Sequence, residues 1–439
     1  MSYTKIHHVT VPGLRIHLRR GDPNMVWLNG KNLIMINDTA ADFIESFIEV
    51  MRFHPDDLEP NHFKKQVAER MRRRYPDVSV KVLVRDFDTM YRSLVDISSG
   101  ACPVHDLNLD TRETSPVSWT APPRMDLALT YRCNNDCSFC YTGGPKNMPE
   151  LTEADWIGII DNLWSNGVPQ IVFTGGEPTL REDLVELIEH SKEFVTGVIT
   201  NGRNLARNAK KFDNAELDYV QVSLESHIPT VHDQIVGVQG AWHETMAGIR
   251  TALDLGMSVI TNTTLTRENL ALFPDLIRFG AETGLQMMAC NTLICSGRIT
   301  RSDKKNRVSL EKLKEILGIA ADIARRLDIK LEWYSPTCYK QFNPLEFGFG
   351  TKSCSAAQYN MTVEPDGSVI PCQSWFTDKL GNLTTSRWPE VWNHPVAKSF
   401  REKAYLKGRS ECETCEYLSQ CWGGCPLEYL PLSVSSLSH

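Results

Sequence analysis

The 439-residue sequence lacks the features of a membrane or secreted protein. No stretch approaches the ~20 consecutive apolar residues that a membrane-spanning helix needs, and no apolar signal-peptide core follows Met1. An excess of positive charge is also absent, because the formal net charge is −7 at pH 7. Without an overall basic field, a protein does not attract nucleic acid. The sequence therefore predicts a cytoplasmic protein whose partners are neither membranes nor nucleic acids.

Cysteine, in contrast, is abundant, with 13 residues, which is an odd number. Three cysteines lie within residues 133–140 and four within residues 412–425. Such clustering in a cytoplasmic chain indicates metal or redox chemistry rather than disulfide bonds. Hydrophobic residues make up 41% of the chain and charged residues 23%, as in an ordinary globular protein. We therefore expect folded domains that hold metal centres.

Three regions with different patterns predict three domains and one linker. The predicted boundaries are residues 1–100, a polar linker at 101–123, a core at 124–330 and a C-terminal domain at 331–439. The length allows this number of domains.

The first region has the pattern of a small α+β unit. Met25–Ile36 is centred on an Asn-Gly pair and predicts a β-hairpin. Asn37 offers a helix N-cap, and apolar residues at helical spacing follow it. Further helical patterns cover His62–Arg74 and Phe87–Ile97.

The second region alternates between strand-like and helical stretches, which is typical of an α/β fold. Helical stretches such as Glu153–Asn166, Leu270–Glu282 and Leu310–Leu327 accompany six apolar runs: Met125–Tyr131, Gln170–Thr174, Thr196–Thr200, Tyr219–Leu224, Ser258–Leu265 and Leu285–Leu293. Six β/α units imply a parallel sheet with outer helices, either open or closed into a barrel. Ligands are then expected at the C-terminal ends of the strands.

Three cysteines directly follow the first of these strands. Cys133, Cys137 and Cys140 have the spacing C-x3-C-x2-C. Three thiolates on one short loop can hold three irons of a [4Fe–4S] cube and leave the fourth iron open to an exogenous ligand. Zinc is the alternative, although structural zinc sites normally use four ligands in C-x2-C pairs. The spacing favours iron and sulfide.

The loop Cys133-Asn-Asn-Asp-Cys137-Ser-Phe-Cys140 resembles the signature of the radical S-adenosylmethionine (SAM) superfamily. Residues 174–178, Thr-Gly-Gly-Glu-Pro, are similar to the motif that follows the second strand in that family. The resemblance implies a partial (β/α)6 TIM-like barrel in which a [4Fe–4S] cluster binds SAM and cleaves it to a 5′-deoxyadenosyl radical. A flavodoxin or ferredoxin is the implied electron donor. The implied SAM contacts are Phe139, Gly175, Gly176, Glu177, Pro178, Asn201, Ser223 and Glu225.

Two further segments bear on the same resemblance. Asn291–Arg298 resembles the sixth-strand segment that contacts the adenine of SAM in relatives. Relatives often carry an arginine where this chain has Val236, so a contact made by that arginine is missing or replaced here.

The C-terminal cysteines have the spacing C-x12-G-x4-C followed by C-x2-C-x5-C-x3-C, which resembles the SPASM extension of radical SAM enzymes. A zinc ribbon is the alternative. The resemblance implies one or two auxiliary [4Fe–4S] clusters. The first is expected at Cys354, Cys372 and Cys425, with Cys338 as the upstream fourth ligand. The second is expected at Cys412, Cys415 and Cys421.

The sequence departs from the SPASM pattern at its end. The family has one more cysteine downstream, and this chain has none after Cys425. We therefore expect the second auxiliary cluster to be open, to have a ligand other than cysteine, or to be degraded. Cys102, Cys290 and Cys295 match no ligand position and are predicted to be buried or linker thiols, with hydrogen donation by Cys290 as the alternative.

The segment from Trp27 to Ile44 resembles the PqqD-like fold, a winged-helix unit that binds leader peptides during maturation of ribosomally made peptides. The resemblance implies that an extended peptide adds to the edge of its sheet. The alternative is a structural cap on the barrel.

Together these features predict a radical SAM/SPASM enzyme that abstracts hydrogen from a precursor peptide with a leader sequence and installs a thioether or carbon–carbon cross-link. One alternative is oxidation of a small molecule, such as a tetrapyrrole side chain. Another is a non-catalytic iron–sulfur electron carrier or sensor. Gln373 stands where sulfatase-maturing relatives carry an aspartate, which argues against that activity.

Overall fold

The computed structural model describes residues 6–11, 14–21, 24–29, 32–53, 60–98, 119–300 and 306–429. The chain divides into two compact units. The first comprises residues 1–121 with the short pieces 163–170 and 193–195, and the second comprises the remainder. Most of the predicted linker, including Cys102, lies outside the described residues, and the predicted domain boundaries stay a prediction. None of the described helices is long and apolar enough to cross a membrane.

The first unit contains a four-stranded antiparallel sheet and three helices. The strands, in sheet order, are β1 (Ile6–Val11), β2 (Leu14–Arg19), β3 (Asn24–Leu28) and β4 (Asn32–Ile36). The helices are α1 (Asp38–Phe53), α2 (Pro60–Arg74) and α3 (Val80–Ser98). The predicted hairpin is confirmed as the β3–β4 pair. The predicted N-cap is also confirmed, because Asn37 Oδ1 accepts the N–H of Ala40 at 2.8 Å.

Strands β1 and β2 have no counterpart in the sequence-based prediction. Strand β2 alternates strictly between apolar and polar residues, Leu-Arg-Ile-His-Leu-Arg, so its sequence does carry the strand signal. The burial of its polar residues His17 and Arg19, which are 0% and 4% exposed, is visible only in the structure.

The second unit is built on a ten-stranded sheet in the order β11-β10-β9-β8-β7-β6-β5-β12-β13-β14. Its first strands in chain order are β5 (Arg124–Thr130), β6 (Gln170–Gly175), β7 (Val195–Thr200), β8 (Tyr219–Ser223), β9 (Val259–Leu265), β10 (Met287–Thr292) and β11 (Lys330–Trp333). The interleaved helices are α4 (Glu153–Ser165), α5 (Leu184–His190), α6 (Leu205–Asn214), α7 (Pro229–Val236), α8 (Ala241–Asp254), α9 (Phe273–Thr283) and α10 (Leu310–Arg326). The six predicted strands are confirmed, and so is the predicted α/β fold with a parallel sheet.

The C-terminal region extends this sheet. Strand β12 (Asn360–Val363) pairs in parallel with β5, and β13 (Ser368–Ile370) and β14 (Gly381–Asn382) continue in antiparallel fashion. The four helices that follow have four to seven residues each: α11 (Trp388–Trp392), α12 (Pro395–Arg401), α13 (Ser410–Glu413) and α14 (Leu418–Cys421). Such short elements agree with the weak helical periodicity of the sequence here.

An aromatic cluster forms the centre of the first unit's core. The Phe47 ring lies 5.6, 5.6 and 5.5 Å, centroid to centroid, from the rings of Phe63, Phe87 and Tyr91. Phe47 is 1% exposed, whereas Phe53 at the end of the same helix is 73% exposed. Residues 41–48 of helix α1 are all buried, so the helix is enclosed on every face there and becomes exposed only at its two ends.

We predict that Phe47→Ala destabilises the first unit by about 3–5 kcal/mol, because it removes a buried ring and leaves a cavity. The matched control Phe53→Ala should change the free energy of unfolding by less than about 0.5 kcal/mol. Native-state hydrogen exchange of the α1 amides in the full chain measures both values. Equal losses in the two variants would contradict this packing.

Candidate active site and cluster sites

The motifs predicted to bind the radical SAM cluster and SAM lie at one edge of the second unit's sheet. Cys133 follows β5 after a two-residue gap, Gly175 ends β6, Asn201 follows β7 and Ser223 ends β8. The carboxyl ends of parallel strands meet at the same edge, where α/β proteins bind their ligands. The fold thus brings together residues that are 90 positions apart in the sequence.

Gly175 and Gly176 allow the loop after β6 to run against the end of β5. The Gly176 N–H donates to the carbonyl of Thr130 at 2.7 Å, and the Glu177 N–H donates to the carbonyl of Arg132 at 2.9 Å. A Cβ on Gly175 would overlap the Thr130 oxygen, and its φ of +136° is unfavourable for any side chain. Glycine is therefore required at this crossing of two backbones.

The Glu177 carboxylate links the ends of β6 and β7. Its Oε1 accepts hydrogen bonds from the Thr179 N–H at 3.1 Å, the Thr179 hydroxyl at 2.6 Å and the Thr200 hydroxyl at 2.7 Å. Its Oε2 accepts the Asn201 N–H at 2.7 Å. A carboxylate offers about four acceptor positions, so these bonds occupy it. Burial raises the pKa of Glu177 and the hydrogen bonds oppose that rise. These bonds give the Glu177 side chain a positioning role between β6 and β7, and its predicted contact with SAM stays a prediction.

The cysteine loop is anchored through its backbone. The N–H groups of Asp136 and Ser138 donate to the carbonyls of Val236 and Ile235 at 2.9 and 3.1 Å. Arg298 Nη1 donates to the carbonyl of Cys137 at 2.8 Å. Val236, where relatives often carry an arginine, therefore contributes its carbonyl to the loop while its side chain is buried.

The thiols of this loop are partly buried and accept N–H groups. The Asn135 N–H lies 3.4 Å from Cys133 Sγ, and Asn201 Nδ2 lies 4.0 Å from the same sulfur. Burial raises the pKa of Cys133 to about 11 and also raises the pKa of Cys137. The nearby carboxylate of Glu177 also raises the pKa of Cys133, and that of Glu225 raises the pKa of Cys137. A cationic metal centre reverses this preference and stabilises the thiolates, so the donor set fits an iron–sulfur cluster.

Within the described residues, no three His, Cys, Asp or Glu side chains converge closely enough to hold a single metal ion. A [4Fe–4S] cube places each thiolate on a different iron, so its ligands stand further apart than those of one ion.

Two predicted SAM contacts follow β8. Ser223 is half-buried, and Glu225 is 2% exposed. Burial raises the pKa of Glu225 to about 8, although its Oε2 accepts the N–H of Thr264 at 2.9 Å. Beside it, Asn291 Oδ1 accepts from Asn262 Nδ2 at 3.0 Å across β9 and β10. The edge is thus lined with polar groups suited to a nucleoside. The predicted SAM contacts themselves stay predictions.

The C-terminal cysteines form two groups. A cavity of about 210 Å³ is lined by four cysteines: Cys338, Cys412, Cys415 and Cys421. The other group comprises Cys354, Cys372 and Cys425, whose proximity raises the pKa of Cys425 in addition to the larger effect of burial. Cys338 also lines a larger cavity with Cys425, so its predicted role as a ligand with Cys354, Cys372 and Cys425 stays a prediction. Sequence order suggested that role, whereas the smaller cavity places Cys338 with the later cysteines.

A buried hydroxyl accompanies the second of these groups. Tyr405 is 3% exposed and its hydroxyl has no hydrogen-bond partner among the described residues. Burial raises the pKa of Tyr405, and the thiols of Cys354 and Cys425 raise it further. An O–H group left without a partner beside thiols suits a sulfide- and thiolate-rich cluster, which accepts such hydrogen bonds.

Cys290 and Cys295 are 0% and 4% exposed, which confirms the prediction of buried thiols. Arg307 donates to the Cys295 sulfur and to the Glu428 carboxylate, the latter at 3.0 Å.

Several residues that hold the site were not selected from the sequence. Arg203 donates to the backbone and side chain of the cysteine loop at Asn134 and Asn135. The Ser296 hydroxyl bonds the carbonyls of Tyr141 and Ser374 at 3.0 and 2.9 Å, which joins the core to the C-terminal region. Contacts between distant segments leave no periodic pattern in the sequence. The only sequence feature that could have pointed to Arg203 is its position directly after Asn201-Gly202.

Comparison with known proteins agrees with this site. Residues 127–280 match the model of the Radical SAM superfamily, and residues 354–422 match SPASM, an iron-sulfur cluster-binding domain. The protein is therefore an enzyme built on a radical SAM domain and a SPASM domain. Its cofactors are SAM and [4Fe–4S] clusters.

Individual relatives include enzymes with different substrates. The chain is 27% identical over 336 residues to a PqqA peptide cyclase of Xanthomonas campestris, covering 72% of this chain and 85% of the cyclase. It is also 27% identical over 333 residues to an AdoMet-dependent heme synthase of Oleidesulfovibrio alaskensis, covering 71% and 84%. Streptococcus suis SuiB, solved bound to its precursor peptide SuiA, shares the fold with a TM-score of 0.65, 16% identity and 92% coverage of both chains.

We predict that Gly175→Ala lowers the stability of the cluster-free second unit by more than about 2 kcal/mol and abolishes SAM binding, because its Cβ would push β5 and β6 apart. Gly158→Ala is the matched control, since it lies in α4 with open space around the new methyl group and should stabilise the helix by up to about 1 kcal/mol. Thermal unfolding of the apo chain and equilibrium SAM binding to the reconstituted chain check both. If the Gly175→Ala variant binds SAM normally, the backbone at Gly175 does not need the close approach to Thr130.

Proposed function

We propose that this enzyme modifies a ribosomally made precursor peptide and installs a thioether or carbon–carbon cross-link. The observation that carries the proposal is the extent of the fold likeness to SuiB, which covers 92% of this chain and so includes most of the first unit. The identity to a PqqA peptide cyclase supports a peptide substrate as well. The proposed location is the cytoplasm, and the proposed electron donor is a flavodoxin or ferredoxin.

In this proposal the chain's own residues hold and orient the reactants. Cys133, Cys137 and Cys140 hold the cluster, while the backbone of residues 175–177 receives SAM. When bound, the cluster supplies one electron that cleaves SAM into methionine and a 5′-deoxyadenosyl radical, which abstracts hydrogen from the substrate. The buried edge of the sheet, including Glu225, keeps water away from the reacting groups.

The first unit is proposed to bind the leader of the peptide, as a PqqD-like domain does. Strand β4 pairs only with β3 among the described strands, so its outer edge is available to an added strand. Leu33 on β4 is 42% exposed, and Ile34 and Met35 are half-buried. An extended peptide can form main-chain hydrogen bonds along β4 and cover Leu33.

A triple variant tests the chemistry. Replacing Cys133, Cys137 and Cys140 with alanine removes the proposed ligands, so the reduced, reconstituted protein should lose SAM cleavage to background. The measurement is 5′-deoxyadenosine formation under anaerobic conditions with dithionite. Cys290→Ala, a buried cysteine outside the ligand sets, should retain cleavage. Undiminished cleavage in the triple variant would refute the assignment.

A surface variant tests the peptide proposal. Leu33→Glu should weaken binding of the cognate leader about tenfold or more, because a charge replaces an apolar contact worth about 1–2 kcal/mol. Val95→Glu is the matched control, since Val95 is 40% exposed and lies on α3. Titration of the full chain with labelled peptides encoded beside its gene measures the affinities. Equal affinities in the two variants would place the peptide elsewhere, and no binding by the unmodified chain would contradict the proposal.

The heme synthase relative supports a second candidate, oxidation of a tetrapyrrole side chain. The two candidates differ in what stimulates turnover. A peptide substrate should increase 5′-deoxyadenosine formation and change its own mass, whereas a tetrapyrrole substrate should do so without any peptide.

A further inference from the structure

The arrangement of the C-terminal cysteines differs from the one that their order in the sequence suggests. Seven cysteines lie in this region, and four of them line one cavity of about 210 Å³: Cys338, Cys412, Cys415 and Cys421. The same cavity is bordered by Lys340 and by Arg409, which pairs with the Glu411 carboxylate at 2.8 Å.

Cys338 reaches this cavity because of its backbone position. The turn after it is closed by the N–H groups of Gln341 and Phe342, which both donate to the Cys338 carbonyl at 2.9 Å. A Cβ on Gly424 would lie only 2.9 Å from the Cys338 nitrogen. The backbone of Cys338 therefore packs against the chain that connects Cys421 to Cys425.

A second cavity decides which group Cys338 completes. This cavity, of about 420 Å³, is lined by Cys338 and Cys425 but by neither Cys354 nor Cys372. Four cysteines thus surround the smaller cavity, whereas the larger cavity brings Cys338 together with Cys425. The smaller cavity has the complete donor set of a closed [4Fe–4S] site.

We propose that Cys338 is the fourth thiolate of the cluster held by Cys412, Cys415 and Cys421. The cluster held by Cys354, Cys372 and Cys425 then has one iron without a protein thiolate. This assignment concerns the SPASM domain alone and does not depend on the identity of the substrate.

The open iron has a route to added ligands. Cys425 lines the larger cavity, and so do Leu265 and Thr292, the last residues of β9 and β10. Those strand ends belong to the same edge of the sheet as the SAM motifs. A ligand that enters this cavity therefore comes beside the cluster of Cys425 and beside the radical SAM site.

Two multiple-cysteine variants of the full chain, used as backgrounds, allow each auxiliary cluster to be studied by itself. Both carry the alanine triple variant at Cys133, Cys137 and Cys140, so that only auxiliary clusters remain. One background also lacks Cys412, Cys415 and Cys421, and the other lacks Cys354, Cys372 and Cys425. Each should bind about four irons per chain after anaerobic reconstitution. Cys338→Ala, with Cys338→Ser as a second variant of nearly native size, is then added to each background.

Iron and sulfide analysis, Mössbauer spectra and EPR spectra of the reduced proteins give the result. Cys338→Ala should leave the cluster of Cys354, Cys372 and Cys425 unchanged. In the other background it should lower the iron content at least twofold or convert the cluster to a three-iron form. The reverse pattern would overturn the proposal, as would equal effects in both backgrounds. Cys290→Ala is the control for loss of a buried cysteine, and it should change neither spectrum.

Added 2-mercaptoethanol tests the open iron directly. It should shift the EPR signal of the cluster held by Cys354, Cys372 and Cys425 and leave the cluster completed by Cys338 unaffected. A shift only in the latter, or in neither, would contradict an open iron at the proposed place.

Discussion

The hydrogen bonds at the end of strand β5 join the two loops of the proposed active site, and the arrangement depends on them. The end of β5 leads into the three-cysteine loop, and the carbonyls of Thr130 and Arg132 accept the N–H groups of Gly176 and Glu177. On its other side β5 pairs with β12, so the SPASM region continues the same sheet. The cluster loop, the SAM loop and the start of the SPASM sheet are therefore all positioned by β5.

Electrostatics imposes the second constraint. The cysteines of the cluster loop and of the SPASM region are buried or half-buried, and burial raises the pKa values of Cys133, Cys354, Cys372 and Cys425. Buried thiolates without a positive partner are costly, so a bound cluster compensates this cost. The same burial keeps water from a radical reaction.

The first unit has its own hydrophobic core. Its aromatic cluster holds α1 against α2 and α3, and its sheet leaves β4 at an edge. An exposed edge strand normally favours unwanted pairing with other chains, because its outer N–H and C=O groups are unpaired. In a domain that receives a peptide strand, the same edge becomes the binding surface. The exposed Leu33 is consistent with such a role in the proposed peptide maturation.

The sequence by itself determined the α/β class and the six core strands, because periodicity and short-range spacing are local properties. The cysteine ligands remain a prediction from spacing. Strands β1 and β2 were not predicted, although the alternation Leu-Arg-Ile-His-Leu-Arg of β2 was available. Only the tertiary structure decided which cysteines share a cavity and that the Glu177 carboxylate is occupied by hydrogen bonds from Thr179, Thr200 and Asn201. These contacts depend on the packing of segments that are far apart in the chain. Such packing cannot be derived from the spacing of residues along the sequence.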